Sequence, residues 1–471
     1  MTRTARRGKP PAATDRDSAR RPRLIPARQT IPRLVRSPLD ALQRIGARAN
    51  GEIVRVSLGP FRPYLITRPE HVQHVLHDNV GNYLRDGMMW RPLRRLMGDG
   101  IAAEGEEWRR SRRIMQPLFT ARQIATRHLH TVADAVADEV DRLMGMAGQE
   151  VVSQDAMTRI LHRALVRAFF GGRIDINQAD QLSHSVGVVT EAVALRMLLP
   201  FIPAWFPLPG DRSLRRAVRA ADAILFPLVR QYREEASDTQ TPDLAYLLCA
   251  ATDDNGRGLS DRRIRDDIMS IFAAGTETTS TALTWLWVVL DANPDIAARL
   301  YQEIDTVVGE GPARPEHLPD LRYTQMVLQE LLRVYPIAWL LPRVAVDDDV
   351  IDGVHIRKGA TVVLSPYLTH RLPDLWDDPE TFDPERFSEA RQAGRHRYAY
   401  FPFGGGIHQC LGSHLFGLEA SLVLGTILSR FRPETDGTTP APVPGAALRP
   451  DRPIAITLRP RQDRDLVPSS Q

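Results

Sequence analysis

The chain has 471 residues, of which 43% are hydrophobic and 25% charged, with a formal net charge of +4. This length and apolar content suffice for a large core. Two cysteines in such a chain exclude a disulfide scaffold and indicate a reducing compartment, so we expect a cytoplasmic protein. No run of apolar residues approaches the roughly 20 that a membrane span requires, and no secretory signal is visible, so we expect no transmembrane anchor.

The positive charge is concentrated in residues 1–36. This segment has eleven basic residues against two acidic ones, a net charge of +9, which leaves −5 for the rest of the chain. Its proline-rich, aromatic-poor composition predicts a disordered, solvated tail. A transit peptide or contact with an anionic surface is the alternative interpretation. We therefore expect a single folded domain over residues 37–471 and no nucleic-acid partner.

The body begins with a predicted hairpin and then becomes mostly helical. Alternating apolar residues predict strands at 53–58 and 64–67, and Pro69 opens a short helix. Helical periodicity extends over 106–116, 121–145, 155–170, 212–236, 260–291, 293–308 and 321–335. Strand-like segments return at 343–346, 350–356 and 361–365. The predicted fold class is mainly α, with small sheets near the N-terminal side and after residue 340.

One of the two cysteines lies in a glycine-rich loop of the form Phe-x-x-Gly-x-x-x-Cys-x-Gly. The loop covers residues 403–412 and delivers Cys410 to an apolar helix predicted over 415–431. Unpaired N–H groups at a helix N-terminus favour a thiolate, and the glycines let the backbone approach a flat, bulky partner. This combination predicts a haem-thiolate site.

Two other interpretations of Cys410 remain open at this point. A lone cysteine is often a small buried hydrophobe. A zinc or other metal site would use His408, Cys410 and His414, but it lacks a second thiolate nearby, because Cys249 is far away in the sequence.

The long helix over 260–291 contains a polar cluster in an apolar setting. Ala274 and Gly275 are followed by three threonines that surround Glu277. Glycine in a buried helix costs about 1 kcal/mol, and threonine hydroxyls can bond the carbonyl one turn back and bend the helix. An opening beside Glu277 and Thr278 would hold water and pass protons inward. The alternative is that the hydroxyls merely satisfy backbone groups.

Charged residues near the C-terminal side suggest a buried ion-pair cluster. Glu330 and Arg333 lie three residues apart on a helix that Pro336 ends, and Arg386 precedes the cysteine loop. A surface salt bridge is the ordinary alternative and contributes little. In apolar surroundings these three residues would have a structural role, locking the loop to the core.

Four further side chains are candidates for holding cofactor carboxylates. Trp108 and Arg112 lie one turn apart in a basic helix, Arg343 follows Pro342, and His408 precedes Cys410 by two residues. Each of them alone is more simply explained as an ordinary surface or packing residue.

Together, these motifs resemble the cytochrome P-450 family of haem-thiolate monooxygenases. The resemblance runs in chain order from Trp108 to Gly412. Its motifs are Trp108-x-x-x-Arg112, Ala274-Gly275-x-Glu277-Thr278, Glu330-x-x-Arg333, Pro384-Glu385-Arg386-Phe387 and the cysteine loop. Glu277 stands where many relatives have Asp, which preserves the acidic role. The chain looks like a soluble bacterial, actinobacterial member of the eukaryote-like branch.

The resemblance implies a fold and a set of site residues. The fold is a helix-rich triangular prism with small β-sheets and haem b between the Gly275 helix and the Cys410 helix. Cys410 would be the metal ligand, while Gly275, Glu277 and Thr278 would serve oxygen activation. The implied cofactor contacts are Trp108, Arg112, Arg343, Phe403, Gly406, His408 and Gly412. Because thiolate ligation favours O–O cleavage, the implied reaction inserts one oxygen atom from O2 into a C–H bond.

The resemblance also implies where substrate binds. Two apolar segments, 88–97 and 197–206, would contribute to recognition, and the candidate pocket residues are Met88, Met89, Leu93, Phe201 and Ala274. Their apolar character predicts a hydrophobic substrate such as a terpenoid, a polyketide or another secondary metabolite. The alternative is that these residues close the core.

The chain ends soon after Cys410, so we expect no fused reductase. Electrons from NAD(P)H would arrive through a ferredoxin reductase and a ferredoxin, and we expect a monomer. Six arginines are candidates for a basic docking face: Arg109, Arg110, Arg113, Arg391, Arg395 and Arg397. A solvated surface is the alternative interpretation of these residues.

Two other classes of function compete with the hydroxylase. A haem-thiolate isomerase, dehydratase or peroxygenase would need no redox partner, and Glu277 with Thr278 argues against it. A non-catalytic haem sensor or carrier would not need the large apolar recognition segments.

Overall fold

The computed structural model describes residues 20–90, 100–198, 206, 208–234, 243–252 and 256–461. The first eight α-helices are α1 (Ala27–Arg36), α2 (Pro38–Ala49), α3 (Pro69–Gln73), α4 (Glu106–Met115), α5 (Ala121–Arg127), α6 (Leu129–Met144), α7 (Ser153–Phe170) and α8 (Ile176–Leu198). The later ones are α9 (Asp211–Glu234), α10 (Leu244–Ala250), α11 (Asp261–Ala292), α12 (Pro294–Val307), α13 (Arg322–Val334), α14 (Pro366–Thr369), α15 (Glu389–Gln392) and α16 (Ser413–Leu428).

The strands are short and cluster toward the two ends of the described chain. The first five are β1 (Arg23–Ile25), β2 (Val54–Val56), β3 (Tyr64–Ile66), β4 (Tyr83–Leu84) and β5 (Glu150–Val152). The next four are β6 (Leu341–Ala345), β7 (Asp349–Ile351), β8 (Val354–Ile356) and β9 (Thr361–Leu364). The last four are β10 (Phe431–Thr435), β11 (Pro442–Pro444), β12 (Leu448–Pro450) and β13 (Ala455–Pro460).

The chain divides into two compact units, and the first contains most of the strands. It comprises residues 1–91, 329–410 and 442–449. A six-stranded sheet in the order β1-β2-β3-β9-β6-β4 forms its centre. Strands β2 and β3 pair antiparallel, as the hairpin pattern predicts, whereas β3 and β9 pair parallel. Strand β9 also pairs with β6, so it has a hydrogen-bonded partner on each side. The sheet thereby holds the start of the segment that leads from β9 to the cysteine loop.

The second unit is built around the longest helix, α11. It comprises residues 92–328, 411–441 and 450–471. Ser260 caps α11 by accepting a hydrogen bond from the backbone N–H of Arg263. The C-terminal half of α11 is buried on nearly every side, including Trp285 and Trp287. Helices α7 and α9 pack against α11, while α16 packs against α6. A small sheet in the order β10-β13-β5 completes the unit.

The mainly α fold predicted from the sequence is confirmed, but several elements differ. Ordered structure begins before Ser37, because β1 pairs in parallel with β2 and α1 follows it inside the predicted tail. The segment predicted as one helix over 121–145 is interrupted at His128, where φ is −120°. The segment predicted as one strand over 350–356 is a hairpin that turns at Asp352 and Gly353, both with positive φ.

One described segment differs from the expectation that no stretch is apolar enough to cross a membrane. Gly406–Leu428 has the necessary length and composition, and 61% of its most apolar window is buried. Core helices of globular proteins meet the same criteria.

A buried carboxylate ties the β7–β8 hairpin to the segment that follows α3. One oxygen of Asp349 accepts hydrogen bonds from His74 at 2.7 Å, from the Tyr83 hydroxyl at 2.7 Å and from Asn79 at 3.0 Å. Burial by itself raises the pKa of the Asp349 carboxyl, but these three donors outweigh it and hold the pKa below its usual range. The ionised form therefore stabilises the first unit.

We expect Asp349→Asn to lower the free energy of unfolding by about 2 kcal/mol at neutral pH, because an amide replaces a charged acceptor of three bonds. The folded pKa of Asp349 lies below its unfolded value of about 3.9, so its stabilisation is complete above that value and is lost as the pH falls through the folded pKa. Urea unfolding of the unaltered protein and of Asp349→Asn between pH 7 and pH 3 measures the free energy of unfolding of each. The difference between the two free energies should become smaller toward pH 3. The exposed Asp352→Asn is the control, with an effect below about 0.5 kcal/mol; equal losses in the two variants would contradict the prediction.

Candidate active site

The cysteine loop is held by backbone hydrogen bonds and contains two left-handed glycines. The N–H of Cys410 donates to the carbonyl of Phe403 at 3.0 Å. Gly404 and Gly406 have φ values of +68° and +63°. A Cβ atom at Gly406 would lie 1.8 Å from the carbonyl oxygen of Leu76, a residue of the sheet core. Only glycine therefore allows the loop to sit this close to the backbone of the first unit.

The Cys410 thiol is exposed, whereas the other cysteine is buried. Cys249 lies inside the second unit, where burial raises its pKa to about 12. The interpretation of Cys410 as a small buried hydrophobe therefore does not fit. Across the described ranges, no group of three or more His, Cys, Asp or Glu side chains is placed to hold a metal ion, so a zinc site at Cys410 has no ligand set. A single accessible thiol on a glycine cradle fits a metal that brings its other ligands with it, as haem iron does.

Arg343 lies in the same unit as the cysteine loop and is only 4% exposed. Its guanidinium donates to the Pro342 carbonyl at 2.8 Å and stacks over the Trp90 ring with a centroid distance of 5.8 Å. The Trp90 indole N–H donates to the same carbonyl at 2.8 Å. His408 closes the short 3-10 turn Gly406–His408 in the loop. These are positions at which a cation and an imidazole can meet the carboxylates of a buried cofactor.

The other two predicted carboxylate donors lie on α4 in the second unit. Trp108 is buried, and Arg112 is half-buried one turn later on the same helix face. The Arg112 Nε donates to Gln116 Oε1 at 3.2 Å. The structure therefore divides the predicted cofactor contacts into two sets, one in each unit.

A buried aspartate, Asp267, fixes α4 to α11. Its carboxylate accepts hydrogen bonds from the Ser111 hydroxyl at 2.7 Å and from the backbone N–H of Ile101 at 2.6 Å. Arg263 donates to the same hydroxyl at 3.0 Å. A Cβ at Gly100 would lie 2.2 Å from the Asp267 carboxylate, so this approach also requires glycine. Because Ser111 lies between Trp108 and Arg112 in the chain, the bond anchors the turn of α4 that bears both.

Burial raises the pKa of Asp267 to about 6, against the hydrogen bonds and the positive charge of Arg263, which lower it. The sequence motifs did not identify Asp267. The available signal was two adjacent acidic residues, Asp266 and Asp267, at the start of an apolar helical run.

In the Ala274–Thr279 segment of α11, a helix that is mostly buried, Ala274 and Thr278 are exposed one turn apart and form a small patch. Gly275 and Glu277 are partly exposed, whereas Thr276 and Thr279 are buried. The Thr278 hydroxyl donates to the Ala274 carbonyl at 2.5 Å, as the backbone-satisfaction alternative predicts. This bond uses the hydroxyl proton and leaves both oxygen lone pairs able to accept. The patch thus places a hydroxyl, with a carboxyl beside it, on a face of α11 that is otherwise apolar.

Gly275 is not required by packing within its own unit. A Cβ there would lie 3.5 Å from a methyl of Leu165, which is an ordinary contact. The helix is unbroken through Gly275, so the predicted local opening is limited to the Thr278 bond. The neighbouring Thr276 hydroxyl is buried and has no hydrogen-bond partner among the described residues.

Glu330 and its two arginines form a fully buried cluster in the first unit. Arg333 forks onto Glu330 with bonds of 2.7 and 2.8 Å, and Arg386 approaches the same carboxylate at 3.4 Å. The remaining Arg333 donors bond the backbone carbonyls of the loop that precedes the cysteine segment, namely those of His370, Pro379 and Thr381. The backbone N–H of Asp383 donates to Glu330 at 2.9 Å. The cluster therefore fastens that loop to α13.

The predicted substrate residues are only partly within the described residues. Met88 and Met89 are half-buried in the turn that follows β4, and Ala274 belongs to the exposed patch of α11. Leu93 and Phe201 lie outside the described residues.

A second buried acid, Glu419 on α16, was also not identified from the sequence. It lines an apolar cavity of about 20 Å³ together with Phe119, His128 and Leu165. Burial raises the pKa of Glu419 to about 8, so the carboxyl is mostly protonated at neutral pH.

Comparison with known proteins gives the same family throughout. The family model described as Cytochrome P450 matches residues 22–458. A protein of Streptomyces melanosporofaciens named cyclooctat-9-en-7-ol 5-monooxygenase is 33% identical over 88% of each chain. Pentalenene oxygenase of Streptomyces avermitilis is 30% identical over 92% of this chain and 93% of its own.

A solved structure shares the fold. It is described as the haem domain of cytochrome P450DA and superposes with a TM-score of 0.82 at 23% identity, covering 95% of this chain and 99% of its own. Family membership implies a haem with a cysteine thiolate ligand. The match over most of the chain confirms the resemblance of the motifs: the chain belongs to the cytochrome P450 family of monooxygenases.

Proposed function

We propose that this monooxygenase inserts one oxygen atom from O2 into a C–H bond of a terpenoid or another hydrophobic secondary metabolite. The observation that carries the proposal is the single exposed thiol of Cys410 on its glycine cradle. The names of two relatives, cyclooctat-9-en-7-ol 5-monooxygenase and pentalenene oxygenase, support the terpenoid class.

Haem b would be held by the cofactor contacts that the sequence predicts. Cys410 would ligate the iron as a thiolate, with Phe403, Gly406 and Gly412 shaping the loop around the ring. Trp108, Arg112, Arg343 and His408 would bind the propionates. When bound, haem iron supplies oxygen binding and O–O bond cleavage, which thiolate donation favours.

The chain itself would supply protons and exclude water. The Thr278 hydroxyl, held by the Ala274 carbonyl at 2.5 Å, keeps its lone pairs directed away from that bond and can accept a hydrogen bond from a water molecule. Glu277 is partly exposed on the adjacent position and would pass protons from solvent to this hydroxyl. Ala274 would offer an apolar surface to the substrate beside it.

Electrons would come from NAD(P)H through a ferredoxin reductase and a ferredoxin. On α4, Arg109 is 59% exposed and pairs with Glu106 at 3.0 Å, and Arg113 is exposed. Arg110 instead donates to the carbonyls of Arg257 and Gly258. These contacts favour Arg109 and Arg113 as the docking residues on this helix.

The arginines of the other predicted set belong to the first unit. Arg391 pairs with Asp383 at 2.6 Å, and Arg395 stacks over Trp376 with a centroid distance of 4.3 Å. Arg397 lies 6.0 Å from the Tyr398 ring centroid. Arg391 and Arg397 are exposed and therefore stay candidates for ferredoxin contacts, while Arg395 is half-buried. We further propose a cytoplasmic, monomeric enzyme.

We expect Cys410→Ser to abolish the red-shifted Soret band of the reduced, carbon monoxide-bound protein, because a hydroxyl cannot replace the thiolate ligand. The absorption spectrum of the purified protein measures this directly. Cys249→Ser is the matched control and should keep the band, since that thiol is buried in the second unit. Retention of the band in Cys410→Ser would refute the proposed haem ligand.

We expect Thr278→Ala to lower product formation by at least about tenfold while NADPH consumption continues. The variant lacks the hydroxyl that would direct protons during oxygen activation, so electrons would be consumed without forming product. Product and NADPH are measured with ferredoxin, reductase and a terpenoid panel, and peroxide alone forms a parallel arm. Thr278→Ser keeps the hydroxyl and should restore most of the coupling. Unchanged coupling in Thr278→Ala would remove the proton role, and equal turnover with peroxide alone would favour the peroxygenase alternative.

We expect Arg109→Glu with Arg113→Glu to raise the dissociation constant for an acidic ferredoxin by about tenfold and to weaken its dependence on salt. Titration by surface plasmon resonance at two salt concentrations measures both. Arg322→Glu with Arg357→Glu changes the net charge equally at other exposed positions and controls for a general charge effect. Equal weakening in both double variants would contradict the assignment to α4.

A further inference from the structure

The first described segment of the chain exposes large aliphatic side chains. In β1, Ile25 is buried in the first unit while its neighbour Leu24 is 45% exposed. In α1, Ile31 is 42% exposed and Pro32 is also exposed. Strand β1 is at the edge of the six-stranded sheet, so its outer side has no partner strand among the described residues. We refer to Leu24, Ile31 and Pro32 together as the apolar ridge.

The same segment has a strong excess of positive charge. Residues 20–49 contain eight arginines and one acidic residue, a net charge of +7. The single acid, Asp40, pairs with Arg44 at 3.0 Å. Arg20 pairs with Asp352 at 3.3 Å. Neither Arg28 nor Arg36 has a carboxylate partner within the part of the chain that the structure describes.

Arg28 and Arg36 line the same surface groove. It has a volume of about 430 Å³ and is lined by Arg28, Gln29, Pro32, Arg36, Ser37 and Asp40. Arg28, Pro32 and Arg36 recur every four residues and therefore share one face of α1. Pro32 belongs both to the groove and to the apolar ridge. An anionic membrane has negatively charged headgroups above apolar acyl chains. Guanidinium groups on a helix face can bind the headgroups, and the exposed aliphatic side chains beside them can contact the acyl chains.

We propose that α1 and β1 form a docking surface for an anionic membrane. Arg28 and Arg36 bind lipid phosphates in the groove, and Leu24 and Ile31 enter the acyl boundary. An arginine near an anionic bilayer contributes about a fivefold gain in binding, so the excess of arginines here attaches the protein reversibly without a spanning helix. A nucleic acid would satisfy the arginines but has no partner for the apolar ridge. The docking is independent of the proposed reaction and suits a cytoplasmic protein whose substrate dissolves in lipid.

The test uses the full-length, haem-loaded protein and sedimentation with two kinds of vesicle. One is phosphatidylcholine alone, and the other contains about one third phosphatidylglycerol. The protein should bind the anionic vesicles and should be released by high salt, because the Debye length falls from about 10 Å at 0.1 M to about 3 Å at 1 M. Equal binding to both vesicles, or to neither, would overturn the proposal.

Two double variants locate the surface. Arg28→Glu with Arg36→Glu should lower the partition coefficient by at least about tenfold. Leu24→Ser with Ile31→Ser should also lower it, while the remaining binding stays sensitive to salt. Unchanged partition in either double variant would overturn the proposal, since both parts of the surface are required.

The ferredoxin variant serves as the charge control. Arg109→Glu with Arg113→Glu changes the net charge by the same amount on α4, and it should leave vesicle partition within about twofold. An equal loss in this variant would indicate a general charge effect and would also overturn the assignment. Thermal melting and the carbon monoxide spectrum of each variant show that the altered residues, all on the surface, leave the fold intact.

Discussion

A carboxylate that is completely removed from water, Glu330, holds together the part of the molecule on which the cysteine loop depends. Two arginines and one backbone N–H satisfy its oxygens, and the remaining donors of Arg333 bind three carbonyls of an irregular loop. A buried pair of this kind adds little stability compared with apolar side chains, but the loss of one partner costs about 3–5 kcal/mol because it leaves a charge without compensation. Its effect here is to specify one path for a loop that has no regular hydrogen bonding of its own.

The side of α11 that carries the proposed oxygen-activating residues also combines exposed positions with buried ones. Most of the helix is inside the second unit, and Ala274 and Thr278 are exposed within it. Asp267 lies two turns earlier and connects α11 to the helix that bears Trp108 and Arg112. A single buried acid thereby connects the helix that bears the proposed oxygen-activating residues to the helix that bears two of the proposed propionate contacts. The positions of chemically active residues thus depend on polar bonds that are themselves away from the chemistry.

Local sequence patterns predicted the elements whose signal is strong and missed those defined by distant partners. The helix around Gly275 and the β2–β3 hairpin follow from periodicity and matched the structure closely. Helix α8 was not predicted, because its apolar residues are not spaced as one stripe. Strand β1 was hidden in a segment whose composition resembles a tail, and its pairing with β2 makes it a strand. Motif spacing identified Cys410 and Glu330, whereas Asp267 and Glu419 are identified only by their burial.

The two cysteines also differ in the accessibility and reactivity of their thiols. Cys249 is shielded, and the raised pKa of its thiol leaves almost no thiolate at neutral pH. Cys410 has an accessible sulfur unless a metal occupies it. If Cys410 ligates haem iron as proposed, alkylating reagents have one reactive thiol in a folded molecule that has not bound haem and none in a molecule that has. In a preparation of this protein, the number of modified thiols per chain should then equal the fraction of molecules without cofactor.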